Sequence, residues 1–270
     1  MPAHNQRQPT LFLPHGGGPC FFMEWTWGPA DTWDATRHFL EGLAATLPEA
    51  PKAILVISGH WEEPAFTASS APAPQLIFDY SGFPEYTYRL TWPAPGDPEL
   101  ATRVRDLLTQ AGLPAGLSAS RGFDHGVFVP LKVVFPEAQI PVVTLSLAAS
   151  LDPALHLAAG RALAPLRDEG VLIVGSGMIF HNLRGYLRPE TPERARAFDA
   201  WLTDAVESPS AERDALLRAW RNGPFAAYAH PREEHLIPLM VASGAGGEAP
   251  GSRIFTDEPM GAAISAYRFD

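Results

Sequence analysis

Short apolar runs that alternate with helix-like segments leave this chain few folds to adopt. The runs, many of them β-branched, are "TLFLPHG", "AILVISGH", "YTYRL", "IPVVTLSL", "VLIVGSG" and "AISAYRF". Most resemble strands that are buried on both faces of a sheet. Helix-like segments lie between them at 31–47, 97–111, 153–168, 192–207 and 211–220. This alternation predicts an α/β fold with a central, mostly parallel or mixed sheet flanked by helices.

The length of the chain predicts one domain. With 270 residues, of which 46% are hydrophobic, it is long enough to bury a substantial core, and we expect a single catalytic domain over 1–270. Asp-Pro pairs at Asp97 and Asp152 mark two helix starts, since aspartate caps a helix and proline suits its first turn. The segment "GAGGEAPGS" predicts a surface loop before the last strand.

Charge and cysteine content limit the partners of the protein. A net charge of −10 argues against nucleic acid and anionic membranes, and no apolar run reaches the ~20 residues of a membrane span. The single Cys20 excludes an intrachain disulfide and a cysteine zinc cage, which favours a reduced, cytoplasmic setting. The expected partners are small molecules or further copies of the chain, and a homo-oligomer is one state that the sequence allows.

Five of the nine histidines lie where a ligand site is expected. His15, His60 and His181 each end or follow a predicted strand, and strand ends in open α/β sheets are where ligands bind. His125 lies in "FDHGVFVPL", and His235 lies in "REEHLIPLM" at the first turn of an apolar helix. Imidazole is a common ligand of zinc, copper, iron and nickel. The pattern therefore predicts one shared metal pocket at the strand ends.

Other groups near these histidines have weaker signals. We expect His4, His38 and His156 to be surface or structural residues. Nearby carboxylates could bind the metal or orient an imidazole: Glu62, Glu63, Asp124, Glu233 and Glu234.

The glycine run "HGGGP" suggests two further classes of site. It lacks the lysine and the glycine spacing of a phosphate-binding loop. A serine esterase would need a GxSxG elbow, and "VGSGM" does not have that spacing. Neither class is favoured.

Five segments in order resemble one enzyme family. "LPHGGGP", "SGHWEE", "FDHGVFVPL", "GSGMIFHNL" and "HPREEHLIPL", with the ending "AYRFD", resemble the class III extradiol ring-cleavage dioxygenases, in their DOPA 4,5-dioxygenase-like branch. The resemblance runs from residue 12 to about residue 240. It implies an α/β domain whose non-haem metal, Fe(II) for activity, opens the ring of a catechol with O2.

The resemblance also implies a role for each histidine. His15 and His60 would be metal ligands, and His235 would be the third. His181 would act as the nearby acid or base, and His125 would contact substrate or oxygen. These roles fit the chemistry, because a site with three protein ligands leaves positions open for both catechol oxygens and for dioxygen.

The third metal ligand and the metal itself leave alternatives. Glu234 precedes His235, and adjacent residues on a helix point about 100° apart, so both should not face one metal; the branch pattern favours His235. A three-histidine site also suits Zn(II), for which His181 is a candidate fourth ligand. The alternative functions are therefore a zinc-dependent hydrolase or a non-catalytic zinc-binding protein.

Aromatic and basic residues are candidates for contacts with the substrate. The aromatic candidates are Phe21, Phe22, Trp25, Trp27, Trp61, Phe128, Phe180 and Tyr228. Trp61 and Phe180 are favoured because they adjoin proposed site residues. The candidates for an anionic substrate tail are Arg184, Arg188 and Arg232.

Overall fold

One eight-stranded sheet runs through the protein, whose residues 7–270 are described by the computed structural model. Its strands are β1 (Thr10–Pro14), β2 (Ala53–Glu63), β3 (Phe66–Ser69), β4 (Ala115–Ser118), β5 (Val142–Ala148), β6 (Val171–Gly177), β7 (Ser252–Asp257) and β8 (Ile264–Phe269). They are ordered β4-β3-β5-β2-β6-β1-β8-β7. Parallel and antiparallel neighbours both occur, so the sheet is mixed. The predicted α/β fold is confirmed.

The helices flank the sheet in two layers. They are α1 (Asp34–Leu43), α2 (Pro98–Gln110), α3 (His125–Val134), α4 (Pro153–Leu163), α5 (Pro165–Asp168), α6 (Thr191–Glu207), α7 (Ser210–Arg218), α8 (Ala226–Ala229) and α9 (Ile237–Gly246). The predicted caps are present, since Asp97 and Asp152 each accept a backbone N–H bond at 2.9 Å. None of the described helices is long and apolar enough to cross a membrane.

The side chains of β2 explain why the first part of this strand, residues 53–57, is apolar at every position. Leu55 and Ile57 pack into the core on one side of the sheet, and Ile54 and Val56 pack into the core on the other. Successive side chains of a strand point to opposite faces, so a strand covered on both sides needs apolar residues at every position.

The central strands bring their carboxyl ends to one edge. β6 pairs in parallel with both β1 and β2. His15 directly follows β1, His60 lies near the end of β2, and His181 follows β6. The pairing of β2 with β5 changes register between Ile57 and Glu62, which is where His60 lies.

The sequence prediction included one strand that does not form, and it missed three strands that do. "YTYRL" lies in a 3-10 helix over Glu85–Arg89, because Thr87 bonds back to the Pro84 carbonyl through its hydroxyl at 2.7 Å and its amide at 2.9 Å. β3, β4 and β7 are short and contain few large apolar residues, and β4 and β7 are the sheet edges. Edge strands have only one neighbour and need no continuous apolar run.

Two predicted boundaries also changed. The helix expected over 153–168 is split between α4 and α5 where Pro165 removes a backbone donor. The loop expected at "GAGGEAPGS" is shorter, because its first residues complete α9 and Ser252 already begins β7.

Candidate metal centre

Three imidazoles from separate parts of the fold converge at the strand ends. The Nε2 atom of His60 lies 3.2 Å from Nε2 of His15 and 3.1 Å from Nε2 of His235. Nitrogens that bind one tetrahedral zinc at ~2.0–2.1 Å are roughly 3.3 Å apart. Three nitrogen lone pairs that face one another repel unless a cation lies between them. The donor set and its spacing therefore fit a metal ion held by three histidines.

Hydrogen bonds on the far side of two rings fix their tautomers. Nδ1 of His15 lies 2.8 Å from the Gly16 carbonyl oxygen, which can only accept, so this nitrogen carries the proton. Nδ1 of His235 lies 2.9 Å from Oε1 of Glu234. A protonated Nδ1 leaves the Nε2 lone pair for the metal, as in other histidine-metal sites with carboxylate or carbonyl partners.

The Asp79 carboxylate connects the third ring to His125. Its Oδ2 lies 3.4 Å from Nδ1 of His60, and its Oδ1 accepts from Nδ1 of His125 at 2.8 Å and from the His125 backbone amide at 2.9 Å. Burial would raise the pKa of Asp79, but the hydrogen bond and charges of the two histidines bring it to about 2. The carboxylate is therefore ionised at neutral pH.

Burial keeps the three converging histidines neutral. It lowers the pKa of His15 and His235 well below the ordinary value, and nearby histidines lower each further. Burial likewise lowers the pKa of His60 to about 3, although Asp79 opposes the shift. Neutral imidazoles keep the lone pair that a metal needs.

His181 joins the group from the end of β6. Its ring stacks on that of His235 with centroids 3.4 Å apart, and its Nδ1 lies 3.0 Å from Oε1 of Glu234. The Glu234 carboxylate thus holds two imidazoles. Burial would raise the pKa of Glu234, but the hydrogen bond from His181 and the charge of Arg232 lower it below its usual value.

The prediction that Glu234 and His235 lie on a helix was wrong. His235 does not lie on the first turn of a helix; it lies in the turn before α9 begins at Ile237. The angle of about 100° between neighbours on a helix therefore does not apply. The Glu234 carboxylate contacts the rings of both His181 and His235. His181, Glu234 and His235 form a second group whose ligand atoms lie within 4.8 Å of one another.

A glycine at the end of β6 lets the His235 turn approach the sheet. The Met178 amide donates to the His235 carbonyl at 3.0 Å. A Cβ atom added at Gly177 would overlap that carbonyl oxygen. The glycine therefore permits close backbone contact, which explains why a glycine ends this strand.

Gly177→Ala is expected to destabilise the protein by about 1–3 kcal/mol, because the new methyl group displaces the His235 turn. The control is Gly42→Ala on α1, where a Cβ meets nothing within 4 Å and should stabilise by roughly 0.5–1 kcal/mol. Urea unfolding of both variants measures the difference. Equal stability of the two variants would contradict the close contact at Gly177.

Asp79→Asn is expected to lower metal affinity and turnover by roughly 10–100-fold, because the amide is a weaker acceptor for His60 and His125. The control is Glu62→Gln, whose carboxylate instead pairs with the exposed Arg232. Metal titration and thermal melts of both variants are the measurements. Unchanged metal affinity in Asp79→Asn would show that this carboxylate does not orient His60.

A cavity of about 740 Å³ opens beside the converging histidines. His15, His60, His125, His181 and His235 all contribute to its wall, so the structure brings together every histidine that the sequence singled out. Its aromatic wall consists of Trp25, Trp27, Trp33, Tyr80, Phe83 and Tyr186. The space accommodates a planar ring and a substituent next to the metal position.

The favoured aromatic candidates lie outside this cavity. Trp61 donates through Nε1 to Glu63 at 2.9 Å and packs beneath Arg121. Phe180 is fully buried in the core against Tyr186. Of the predicted aromatic residues, the cavity wall includes Trp25 and Trp27. For Trp61 adjacency to His60 was misleading because successive residues of β2 point to opposite faces of the sheet.

The remaining acids have other partners. Asp124 accepts from Ser58 at 2.8 Å and Arg121 at 2.6 Å. Arg221 donates to Glu233 at 2.7 Å. Among the predicted acids in the described residues, only Glu234 bonds to a converging histidine.

The serine of the esterase motif and His156 have structural roles. Ser176 is buried and its hydroxyl donates to the Gly126 carbonyl, so it is not a free nucleophile. His156 is buried, donates to the Asp152 carbonyl at 2.7 Å and accepts from a backbone amide at 3.2 Å. His38 is exposed, and His4 lies outside the described residues.

An α/β sheet with histidines converging at its strand ends indicates a metal-binding protein. Comparison with known proteins identifies its family. The family of catalytic LigB subunits of aromatic ring-opening dioxygenases matches residues 9–269. The chain belongs to this family, which confirms the extradiol dioxygenase resemblance.

Several relatives cover nearly the whole chain. A protein named 4,5-DOPA dioxygenase extradiol from Beta vulgaris is 37% identical over 100% of this chain and 99% of its own length. Dioxygenase tasH from Hapsidospora irregularis is 39% identical over 96% of this chain and 84% of its own length. A crystal structure of an uncharacterized Escherichia coli K12 protein matches with a TM-score of 0.78 and 30% identity, covering 98% of this chain and 100% of that one. The chain is thus an extradiol, ring-opening dioxygenase, rather than a zinc hydrolase or a zinc-binding module.

Proposed function

We propose that this protein opens the ring of a catechol with O2 at an Fe(II) ion held by His15, His60 and His235. The observation that carries the proposal is the convergence of three Nε2 atoms, with His60 at 3.2 and 3.1 Å from the other two. Each Nδ1 faces an acceptor, so the rings present lone pairs to one point. The open cavity beside them leaves room for substrate.

When bound, Fe(II) would supply a redox-active Lewis acid that acidifies catechol hydroxyls and activates dioxygen. Both atoms of O2 enter the product as a carbon-carbon bond next to a hydroxylated carbon breaks. The remaining steps depend on groups of the chain itself, which bind the ring and move protons.

His181 is suited to take a proton from the substrate. It lines the cavity, and the Glu234 carboxylate holds its Nδ1 at 3.0 Å. A carboxylate that accepts from Nδ1 fixes the ring and its tautomer, which leaves the lone pair of the other ring nitrogen to take a proton. We assign His181 the acid/base role on this arrangement.

His125 is suited to stabilise negative charge on oxygen. Asp79 fixes its ring through Nδ1, and the ring centroid lies 4.0 Å from that of His60. Because Nδ1 donates to Asp79, a proton on Nε2 is the one that would face oxygen, and an oriented N–H there stabilises developing charge without having to reorganise.

Anaerobic loading with Fe(II) or Zn(II), followed by oxygen-electrode and absorbance assays with catechols, tests the proposal. We expect one O2 consumed per ring opened, with a new visible band, in the iron sample alone, because zinc has no accessible redox change. Equal turnover by the zinc sample, or no turnover by an iron sample with full metal occupancy, would contradict it. The cytoplasmic location and the homo-oligomer remain predictions of the sequence.

A further inference from the structure

The main chain of His60 lies where the regular pairing of the sheet is interrupted. β2 pairs with β6 as far as Ser58. Its pairing with β5 breaks after Ile57 and resumes at Glu62. His60 therefore lies outside the register of both neighbouring strands. Backbone amides and carbonyls inside a protein need hydrogen-bond partners, so other groups have to hold this peptide.

The ring of His60 is also held by a longer contact than the other two rings. Its Nδ1 lies 3.4 Å from Oδ2 of Asp79. The corresponding nitrogens of His15 and His235 lie 2.8 and 2.9 Å from their acceptors. A longer contact orients a ring less firmly, so the position of the His60 ring depends more on its main chain.

Two side chains bond to the main chain of His60, one at each of its polar groups. The His60 amide donates to Oγ of Ser58 at 3.1 Å. Nη2 of Arg121 donates to the His60 carbonyl at 3.4 Å. The guanidinium of Arg121 also lies over the ring of Trp61, 4.9 Å from its centroid, which limits its movement.

This arginine is not among those that the sequence suggested for the site. Arg232 donates to Glu62 at 2.6 Å, outside the cavity wall. Arg184 and Arg188 are exposed on the loop after β6, where Nε of Arg188 donates to the Arg184 carbonyl at 3.3 Å. Arg121 instead contacts the main chain of a proposed metal ligand.

The Asp124 carboxylate connects the two side chains that hold His60. Its Oδ1 accepts from Ser58 at 2.8 Å, and its Oδ2 accepts from Nη2 of Arg121 at 2.6 Å. Ser58 and Asp124 are fully buried, so these bonds form away from water. Because the Ser58 hydroxyl gives its proton to Asp124, its lone pairs are left for the His60 amide.

Asp124 also begins the helix that carries His125. It directly precedes α3, whose first residue is His125. Gly126 lets the start of this helix approach the site, since a Cβ atom added there would lie 2.7 Å from Cδ2 of His60 and 3.2 Å from Oδ1 of Asp124. The same carboxylate therefore links β2, which carries a metal ligand, to the start of α3.

We propose that Asp124 is a positioning residue, which through Ser58 and Arg121 holds the main chain of His60 where its ring can bind the metal. Asp124 lies outside the cavity wall and bonds to these two side chains, so it acts through other residues. Its effect on turnover rests on the proposed function. Its effect on metal binding can be measured without turnover.

Asp124→Asn is the test, because an amide nitrogen cannot accept a hydrogen bond and either Ser58 or Arg121 loses its partner. We expect the affinity for Zn(II) to fall by about tenfold or more. The visible bands of the Co(II)-loaded protein should shift, because they report the arrangement of ligands around the metal. Titration of the full chain with each ion measures both effects.

A second buried network of the same chemistry provides the matched control. Asp199 accepts from Ser265 at 2.7 Å and from Arg253 at 3.1 Å, outside the cavity wall. Asp199→Asn should lower thermal stability to a similar extent but leave the Zn(II) affinity and the Co(II) bands unchanged. Equal effects of Asp124→Asn and Asp199→Asn on the metal, or no effect of Asp124→Asn, would overturn the inference.

Ser58→Ala keeps the inference testable if Asp124→Asn does not fold. It removes the acceptor of the His60 amide and leaves the contact between Asp124 and Arg121. We expect about a tenfold loss of Zn(II) affinity and a shift of the Co(II) bands, with Ser265→Ala as the control. Unchanged affinity and bands in folded Ser58→Ala would overturn the inference.

Oxygen uptake by the iron-loaded proteins separates this inference from the proposed function. If Asp124→Asn weakens metal binding as expected but the unmodified protein opens no catechol ring, the positioning role holds and the dioxygenase proposal fails. If the unmodified protein opens the ring but Asp124→Asn keeps its metal affinity and Co(II) bands, the positioning role fails and the dioxygenase proposal stands.

Discussion

His60→Ala is expected to remove both the bound metal and ring opening. The Nε2 atom of His60 lies between those of His15 and His235, so its loss leaves two nitrogens that do not surround a cation. Loss of an outer hydrogen-bond partner commonly lowers metal affinity 10–100-fold, and we expect loss of the ligand itself to exceed about 100-fold. Metal analysis after dialysis and the oxygen-uptake assay measure the two effects.

The control is His38→Ala, which removes an exposed imidazole from α1 and should leave both properties unchanged. Circular dichroism would show that each variant keeps its fold. Full iron occupancy in folded His60→Ala would be incompatible with a site built around this residue. The comparison separates a specific ligand from the general metal affinity of a protein with nine histidines.

The sequence predicted the location of the site better than its supporting contacts. Continuous apolar runs identified β1, β2 and β6, and because these strands are parallel neighbours, residues after their ends share one edge. That argument correctly brought His15, His60 and His181 together. It depends on the alternation of strands with helices, which predicts parallel strands whose carboxyl ends share one edge of the sheet.

Asp79 gave no comparable signal. It lies in an irregular segment between β3 and the 3-10 helix at Glu85–Arg89, and its contact with His125 spans 46 residues of chain. No periodicity marks such a residue, because its position is set by the packing of the surrounding loop. The same reason explains why Tyr80 and Phe83, from the same segment, were missing from the predicted aromatic wall.

The two adjacent residues Glu234 and His235 show how local geometry changes an assignment. A helix would have directed them apart, and the sequence favoured one over the other as a ligand. In the turn before α9, Glu234 instead accepts from Nδ1 of His235 and of His181. Both residues therefore belong to the site, with the imidazole facing the metal position and the carboxylate orienting two rings.

His181→Asn is expected to reduce turnover by about 10²–10⁴-fold with little change in metal content. The asparagine amide can replace Nδ1 as a donor to Glu234, which preserves the contact now 3.0 Å long. It cannot take a proton from the substrate. Single-turnover absorbance kinetics and metal analysis on the same preparation measure both quantities.

The same variant distinguishes the two roles predicted for His181. If His181 were a fourth ligand, the loss of its nitrogen would weaken metal binding as well as turnover, as it does for His60→Ala. Its ring stacks on that of His235 at 3.4 Å and lines the cavity, so a small movement could serve either role. Metal content equal to that of the unmodified protein, with slow ring opening, would assign the proton-transfer role. Metal loss parallel to the loss of turnover would assign the ligand role.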